Sequence, residues 1–157
     1  NRIRKRGKEV PPMVEVVLDD YRIKSIDMRN DIADDGILSM TNTFEFKVSY
    51  SREDSRAVAE LTEHVSDKET GDRFYISLTI EGIFSVSGVN GLESKKEAHV
   101  RCYDQIFPYA GQIISQLASN SGISGLILKK IPMKESSINF SNGAQEKHEG
   151  KMIRFPQ

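Results

Sequence analysis

Cysteine, tryptophan and long apolar runs are scarce or missing in this chain. Cys102 is the single cysteine, so no intrachain disulfide can form, and such sparing use of cysteine is typical of the reducing cytosol. No apolar run approaches the ~20 residues of a membrane span, and no signal-peptide core is present. We therefore expect a cytoplasmic protein that does not insert into membranes.

An excess of charge of one sign is also missing, because 22 lysine and arginine residues nearly balance 23 aspartate and glutamate residues. This balance argues against nucleic acid as a partner. Basic residues cluster at the amino terminus, where residues 1–10 are predicted to be a solvated basic tail. A chain of 157 residues has material for one core, which we assign to residues 11–140, followed by a polar tail over residues 141–157.

Groups that support catalysis or metal binding are few. His64, His99 and His148 are far apart in the sequence, and none forms a zinc-type pair with another histidine or a cysteine. Cys102 could be a nucleophile only if His99 lowered the pKa of its thiol, whereas a lone cysteine among apolar neighbours is usually a small core residue. We therefore predict no catalytic residues, no metal site and no cofactor.

Alternation of apolar and polar residues predicts two long strands. Residues 73–88 place an apolar side chain at almost every second position, which indicates a strand with one buried face. Gly82 falls on that face and indicates a bend or a close backbone contact. Residues 38–50 repeat the pattern and predict a second half-buried strand.

Two other segments admit more than one interpretation. Residues 14–28 also alternate, but the phase slips near Asp19 and again near Ser25, so two tightly joined strands and one bulged strand fit equally well. Residues 51–71 are rich in charge, and we interpret them as a connection with one weak helix. Three apolar residues at helical spacing favour that helix: Ala57, Leu61 and Val65.

An amphipathic helix is predicted from Pro108 to Ser119. Pro108 suits the first turn of this helix, and Gly122 suits its carboxyl-terminal stop. Its apolar stripe follows the spacing i, i+3, i+4, i+7, i+8 and consists of Ala110, Ile113, Ile114, Leu117 and Ala118. The opposite face is polar yet uncharged, which is unusual for a face that meets only water, so it could pack against a copy of itself. Its residues are Gln112, Ser115, Gln116 and Ser119.

Two short segments carry a family resemblance. Residues 82–88, GIFSVSG, and residues 106–110, IFPYA, resemble the most recognisable stretches of the SecB family of protein-export chaperones, in the right order and at the right separation. The likeness extends over about residues 73–131. It implies an α+β fold in which a long amphipathic helix packs on a four-stranded antiparallel sheet. It also implies assembly into a homotetramer, as a dimer of dimers.

The same resemblance implies a function. Members of this family are ATP-independent holdases, so the chain is expected to bind unfolded polypeptides, chiefly preproteins destined for export by the SecA motor. An alternative with the same fold is a chaperone in a toxin–antitoxin–chaperone system that stabilises one cognate antitoxin. A further alternative is an oligomeric adaptor without chaperone activity.

Site residues also follow from the resemblance. Family members use this helix to join dimers, which makes its uncharged polar face the candidate oligomer interface. A holdase also needs exposed apolar surface, unless the same residues form the core of the domain itself. The candidate client-binding residues are Ile26, Met28, Ile123, Leu126, Leu128 and Ile131.

Two departures from the family pattern weaken the case for SecA as a partner. In the export chaperones the outer face of the strand before Gly82 presents an acid to SecA, and this chain has Ser77 there, beside Tyr75. The carboxyl-terminal segment is also mixed in charge, with Lys147 and Lys151 among its acids.

Overall fold

The computed structural model describes residues 13–33, 37–68, 73–138, 145–149 and 153–156. Four long strands are followed by one long helix and, at Glu135–Ser137, by a short 3-10 helix. The long elements are β1 (Glu15–Asn30), β2 (Ile37–Tyr50), β3 (Arg56–Asp67), β4 (Phe74–Ser87) and α1 (Leu92–Ser119). Two short strands complete the described chain, β5 (Gln145–Glu149) and β6 (Ile153–Pro156).

The strands form one antiparallel sheet in the order β1-β4-β3-β2, and both β5 and β6 pair with the remaining side of β2. One face, here called the inner face, packs against α1 and against the chain that follows it. The opposite face is called the outer face. The predicted α+β class, a four-stranded antiparallel sheet with a long helix packed on it, is confirmed.

The two strands predicted from alternation are β4 and β2, and their apolar positions lie on the inner face. The largest fully buried side chains of these two strands are Met40, Phe44, Phe46, Phe74, Ile76, Leu78, Ile80 and Phe84. Gly82 interrupts this row of apolar side chains. A Cβ atom at this position would lie 2.7 Å from the Cδ1 atom of Ile106 in α1, so there is no room for a side chain. The missing side chain lets the helix approach the sheet, as the sequence predicted.

β1 resolves the choice left open for residues 14–28. It is a single strand, and its pairing with β4 shifts register between Leu18 and Asp20 and between Ile23 and Ser25. The two shifts coincide with the two phase slips in the sequence. The bulged strand is therefore the correct interpretation.

The prediction of a weak helix within residues 51–71 is wrong, because Arg56–Asp67 form the strand β3. A spacing of four residues corresponds both to about one helical turn and to two strand repeats, so the apolar residues fit either structure. The inner face of β3 also holds Glu63 and Asp67, and these acids concealed the period of two.

The predicted start of the helix is also wrong, since α1 begins at Leu92 and contains Pro108 in its interior. An interior proline removes one backbone hydrogen bond, at a cost of about 3 kcal/mol. The earlier turns persist because they bury side chains against the sheet, and such packing stabilises a helix more than local propensity does. These side chains are Ala98, His99, Cys102, Tyr103, Ile106 and Phe107. The predicted stop at Gly122 is confirmed, with a φ of +85°.

β5 and β6 lie within residues 141–157, which were predicted to be a polar tail. An open sheet edge offers N–H and C=O groups to almost any extended chain, so a polar composition does not reveal such pairing. The predicted basic tail at residues 1–10 lies outside the described residues. The boundaries of the 11–140 domain stay a prediction.

Candidate functional site

The start of β1 is hydrogen-bonded to α1 through the side chain of Gln105. The amide of Gln105 accepts a hydrogen bond from the backbone N–H of Leu18 at 2.9 Å and donates one to the carbonyl of Val16. Farther along, the ring of Tyr21 lies 4.5 Å from the ring of Tyr109, measured between centroids. β1 and α1 therefore run side by side.

The rest of β1 exposes apolar side chains that its register places on the inner face. We call this set the β1 strip, and its members are Tyr21, Ile23, Ile26 and Met28. Their partners on β4 are Gly82 and three fully buried residues, yet Ile23 remains 46% exposed and Ile26 43% exposed. Met28 is half-buried. The inner face of β1 thus carries an apolar row that stays partly exposed to solvent.

The uncharged polar face of α1 adjoins this strip. Gln112, Gln116 and Ser119 are exposed, and Ser115 is half-buried. Tyr109 precedes Gln112 by three residues, so it lies on the same side of the helix and joins the face to Tyr21.

No helix within the described residues has the length and apolar character needed to cross a bilayer.

The other candidate client-binding residues lie in the segment after α1, which packs under the sheet. Ile123 and Leu126 are each 1% exposed and Leu128 is 5% exposed, so the core interpretation applies to these three. Ile131 is half-buried, and its carbonyl accepts a hydrogen bond from the Tyr103 hydroxyl at 2.7 Å. Of the six candidates, only Ile26 and Met28 belong to the β1 strip.

The outer face carries charges of both signs in one row across four strands. The ion pairs are Arg22–Glu81 at 2.9 Å, Lys24–Glu81 at 3.7 Å, Lys24–Glu60 at 3.5 Å and Lys47–Glu60 at 3.7 Å. Ser77 lies on the same face, and its Oγ atom is 2.8 Å from Nδ1 of His64. At the position where the family resemblance implies an acidic residue, this chain therefore has a serine whose hydroxyl is hydrogen-bonded to a histidine.

Glu63 and Asn42 are polar side chains buried on the inner face, and the sequence did not single them out. Within the described residues, neither the Glu63 carboxyl nor the Asn42 amide has a hydrogen-bond partner. Burial raises the pKa of Glu63 to about 8, because the charged form loses its hydration. The alternation of β3 would have placed Glu63 inside, had that segment been read as a strand.

Cys102 is buried in α1, and burial raises the pKa of its thiol to about 12. A nucleophilic cysteine needs the opposite shift, since the thiolate is the reactive form. The ring of His99 lies edge-on to the ring of Phe46, with 5.1 Å between the two centroids. Cys102 therefore acts as a core residue.

Comparisons with known proteins agree with this architecture. The family model described as SecB, preprotein translocase subunit SecB, matches residues 39–140. The chain is 31% identical over 108 residues to the protein-export protein SecB of Orientia tsutsugamushi strain Ikeda, a match that covers 65% of this chain and 64% of the relative. The corresponding protein of strain Boryong is 30% identical over 108 residues, covering 65% and 66%. The chain thus spans just under two thirds of the length of these relatives.

A solved structure has a similar fold. It is the Mycobacterium tuberculosis SecB-like chaperone in complex with a ChAD peptide from the HigA1 antitoxin, with a TM-score of 0.58 and 16% sequence identity. The likeness covers 74% of this chain and 90% of that one. The family match includes β2, β3, β4 and α1, which form most of the sheet and the helix packed on it. This chain belongs to the SecB family of chaperones.

Proposed function

We propose that this SecB-family chaperone is a holdase, not an enzyme, which binds non-native polypeptides in the cytoplasm without nucleotide or cofactor. The observation that carries the proposal is the β1 strip. Apolar side chains at inner-face positions normally join the core, whereas Ile23 and Ile26 stay about half in solvent. An exposed apolar row beside a rigid sheet suits a site that accepts many unfolded sequences.

The clients we propose first are preproteins, because both curated relatives are named as protein-export proteins. SecA is then the partner that would receive them. The second candidate is a cognate antitoxin. It is favoured by the outer face, where Ser77 bonded to His64 stands in place of an acid, and by the antitoxin peptide bound to the structural neighbour. Mass spectrometry of polypeptides that copurify with the chain would separate a mixture of preproteins from one antitoxin.

Substituting Ile26→Arg tests the client site. A guanidinium in the β1 strip must lose hydration when an apolar client segment covers it, so client affinity should fall by roughly tenfold or more. The measurement is fluorescence anisotropy with a labelled polypeptide kept unfolded by reduction and carboxymethylation, together with suppression of its aggregation. The matched control is Val58→Arg, because Val58 is 42% exposed but lies on the outer face.

Equal affinities of the Ile26→Arg and Val58→Arg variants would remove the strip from the client site. If the native chain neither binds the unfolded polypeptide nor suppresses its aggregation, the holdase function itself is wrong. The adaptor alternative would then explain the fold. Sizing chromatography of each variant should accompany these measurements, so that a change of assembly is not mistaken for a change of binding.

We also propose that the chain forms a dimer of dimers through the polar face of α1. Side-chain amides and hydroxyls can hydrogen-bond across such an interface, whereas a buried unpaired charge is costly. Gln116→Glu should therefore convert tetramers into dimers in multi-angle light scattering. Ser124→Glu adds the same charge at an exposed position outside the face and should leave the tetramer intact. A Gln116→Glu tetramer as stable as the native one would exclude this interface.

A further inference from the structure

The first bulge of β1 lies directly after the residues that α1 binds. Pairing with β4 shifts by one residue between Leu18 and Asp20, so Asp19 is the extra residue of this bulge. The side chain of Gln105 binds the main chain just before it. Its amide oxygen accepts the N–H of Leu18 at 2.9 Å, and its amide nitrogen donates to the carbonyl of Val16. The helix therefore holds β1 at the point where the register changes.

This register shift determines which side chains of β1 face α1. After the bulge, Tyr21 and Ile23 lie opposite inner-face positions of β4. If the earlier pairing continued without the shift, Asp20 and Arg22 would take those positions, and the two apolar residues would turn to the outer face. The β1 strip thus exists only when the extra residue is placed at the bulge.

The two hydrogen bonds of Gln105 discriminate between these registers. Main-chain groups of successive strand residues point to alternate sides, and those of Val16 and Leu18 point away from β4 toward Gln105. A slip of one residue in this stretch would direct the same groups to β4, out of reach of the Gln105 amide. Because β1 is the last strand on its side of the described sheet, Gln105 takes the place of a second neighbouring strand here.

We propose that Gln105 is a positioning residue for client binding, whose amide fixes the first bulge of β1 and thereby the face on which Tyr21 and Ile23 lie. The inference rests on the proposed holdase function and adds a residue that does not itself belong to the β1 strip. Its physical basis is that one side-chain amide stabilises the register in which the strip is apolar.

Gln105→Met tests the proposal, because methionine has a similar length and helix propensity but forms neither hydrogen bond. The apparent Kd for the labelled unfolded polypeptide should rise by roughly threefold or more, since a smaller fraction of the chain presents the strip. The nuclear Overhauser cross-peak between the rings of Tyr21 and Tyr109, which lie 4.5 Å apart, should weaken in the same variant. Retention of either the native affinity or the native cross-peak would overturn the positioning role.

Deletion of Asp19 separates positioning from simple attachment of β1 to α1. Without the extra residue, the strip continues the alternation of the residues before it and stays on the inner face with no bulge. The deletion removes one exposed hydrogen bond, from the hydroxyl of Ser85 to the carboxylate of Asp19. In this background Gln105→Met should change the client affinity by less than about twofold.

An equal loss of affinity from Gln105→Met in the native and deletion backgrounds would show that Gln105 only attaches the strand, and the proposal would fall. That result would leave the holdase function intact, because both parent chains would still bind the unfolded polypeptide. A native chain that binds no unfolded polypeptide would overturn the holdase function and the positioning role together.

Discussion

Glu63→Gln is expected to stabilise the protein at neutral and alkaline pH and to remove much of the pH dependence of its unfolding. The native carboxyl keeps its proton up to a pKa of about 8, whereas the unfolded chain releases it near 4.5. Between these values unfolding releases a proton, so the free energy of unfolding falls by up to about 1.4 kcal/mol per pH unit. The native protein should therefore be most stable below the unfolded-state pKa and lose roughly 4 kcal/mol by pH 8.

Urea unfolding followed by circular dichroism from pH 4.5 to pH 8.5 measures this slope. The matched control is Glu45→Gln, the same substitution at an outer-face position of β2. It should leave the pH profile close to that of the native chain. A native stability that does not decline over this range would show that the Glu63 carboxyl finds a partner for its charge when it ionises.

The sheet could be predicted because its strands obey simple alternation. β4 shows one apolar face, which Gly82 interrupts where Ile106 approaches the backbone, and β2 shows the same alternation with Asn42 as a polar exception. The bulges of β1 were visible as phase slips, since each extra residue moves the following side chains to the other face. The alternation and the phase slips can be seen in a single sequence, because both depend only on the order of apolar and polar residues along one strand.

β3 and the first half of α1 could not be predicted in the same way. Glu63 breaks the apolar pattern of β3, and burial of a carboxyl is decided by tertiary packing, which local sequence does not record. Pro108 resembled a helix start, because the contacts that keep the preceding turns helical lie on distant strands. The pairing of β5 with β2 depends on main-chain groups that every residue has.

In the candidate client site, too, the sequence predicted one property of the residues and not another. Apolar composition identified Ile26 and Leu128 equally well, although Ile26 is 43% exposed and Leu128 only 5%. Exposure depends on tertiary packing, which buries the segment after α1 and leaves the β1 strip partly in solvent. A sequence can nominate apolar residues, but only the packing separates a binding surface from the core.

Leu128→Arg should therefore unfold the domain, and any loss of client affinity would follow from that unfolding. A guanidinium at this position would be buried without a designed partner, which destabilises a protein by about 3 kcal/mol or more. The neighbouring Ile127 is 75% exposed, so Ile127→Arg introduces the same charge one residue away with little loss of stability.

Thermal and urea unfolding of the two variants give the comparison. A large drop in the midpoint for Leu128→Arg beside a nearly unchanged midpoint for Ile127→Arg would place residue 128 in the core. If Leu128→Arg instead kept its stability and lost client binding alone, the segment after α1 would have to leave the sheet in solution. Ile123 and Leu126, which are buried in the same segment, would then return to the client site together with Leu128.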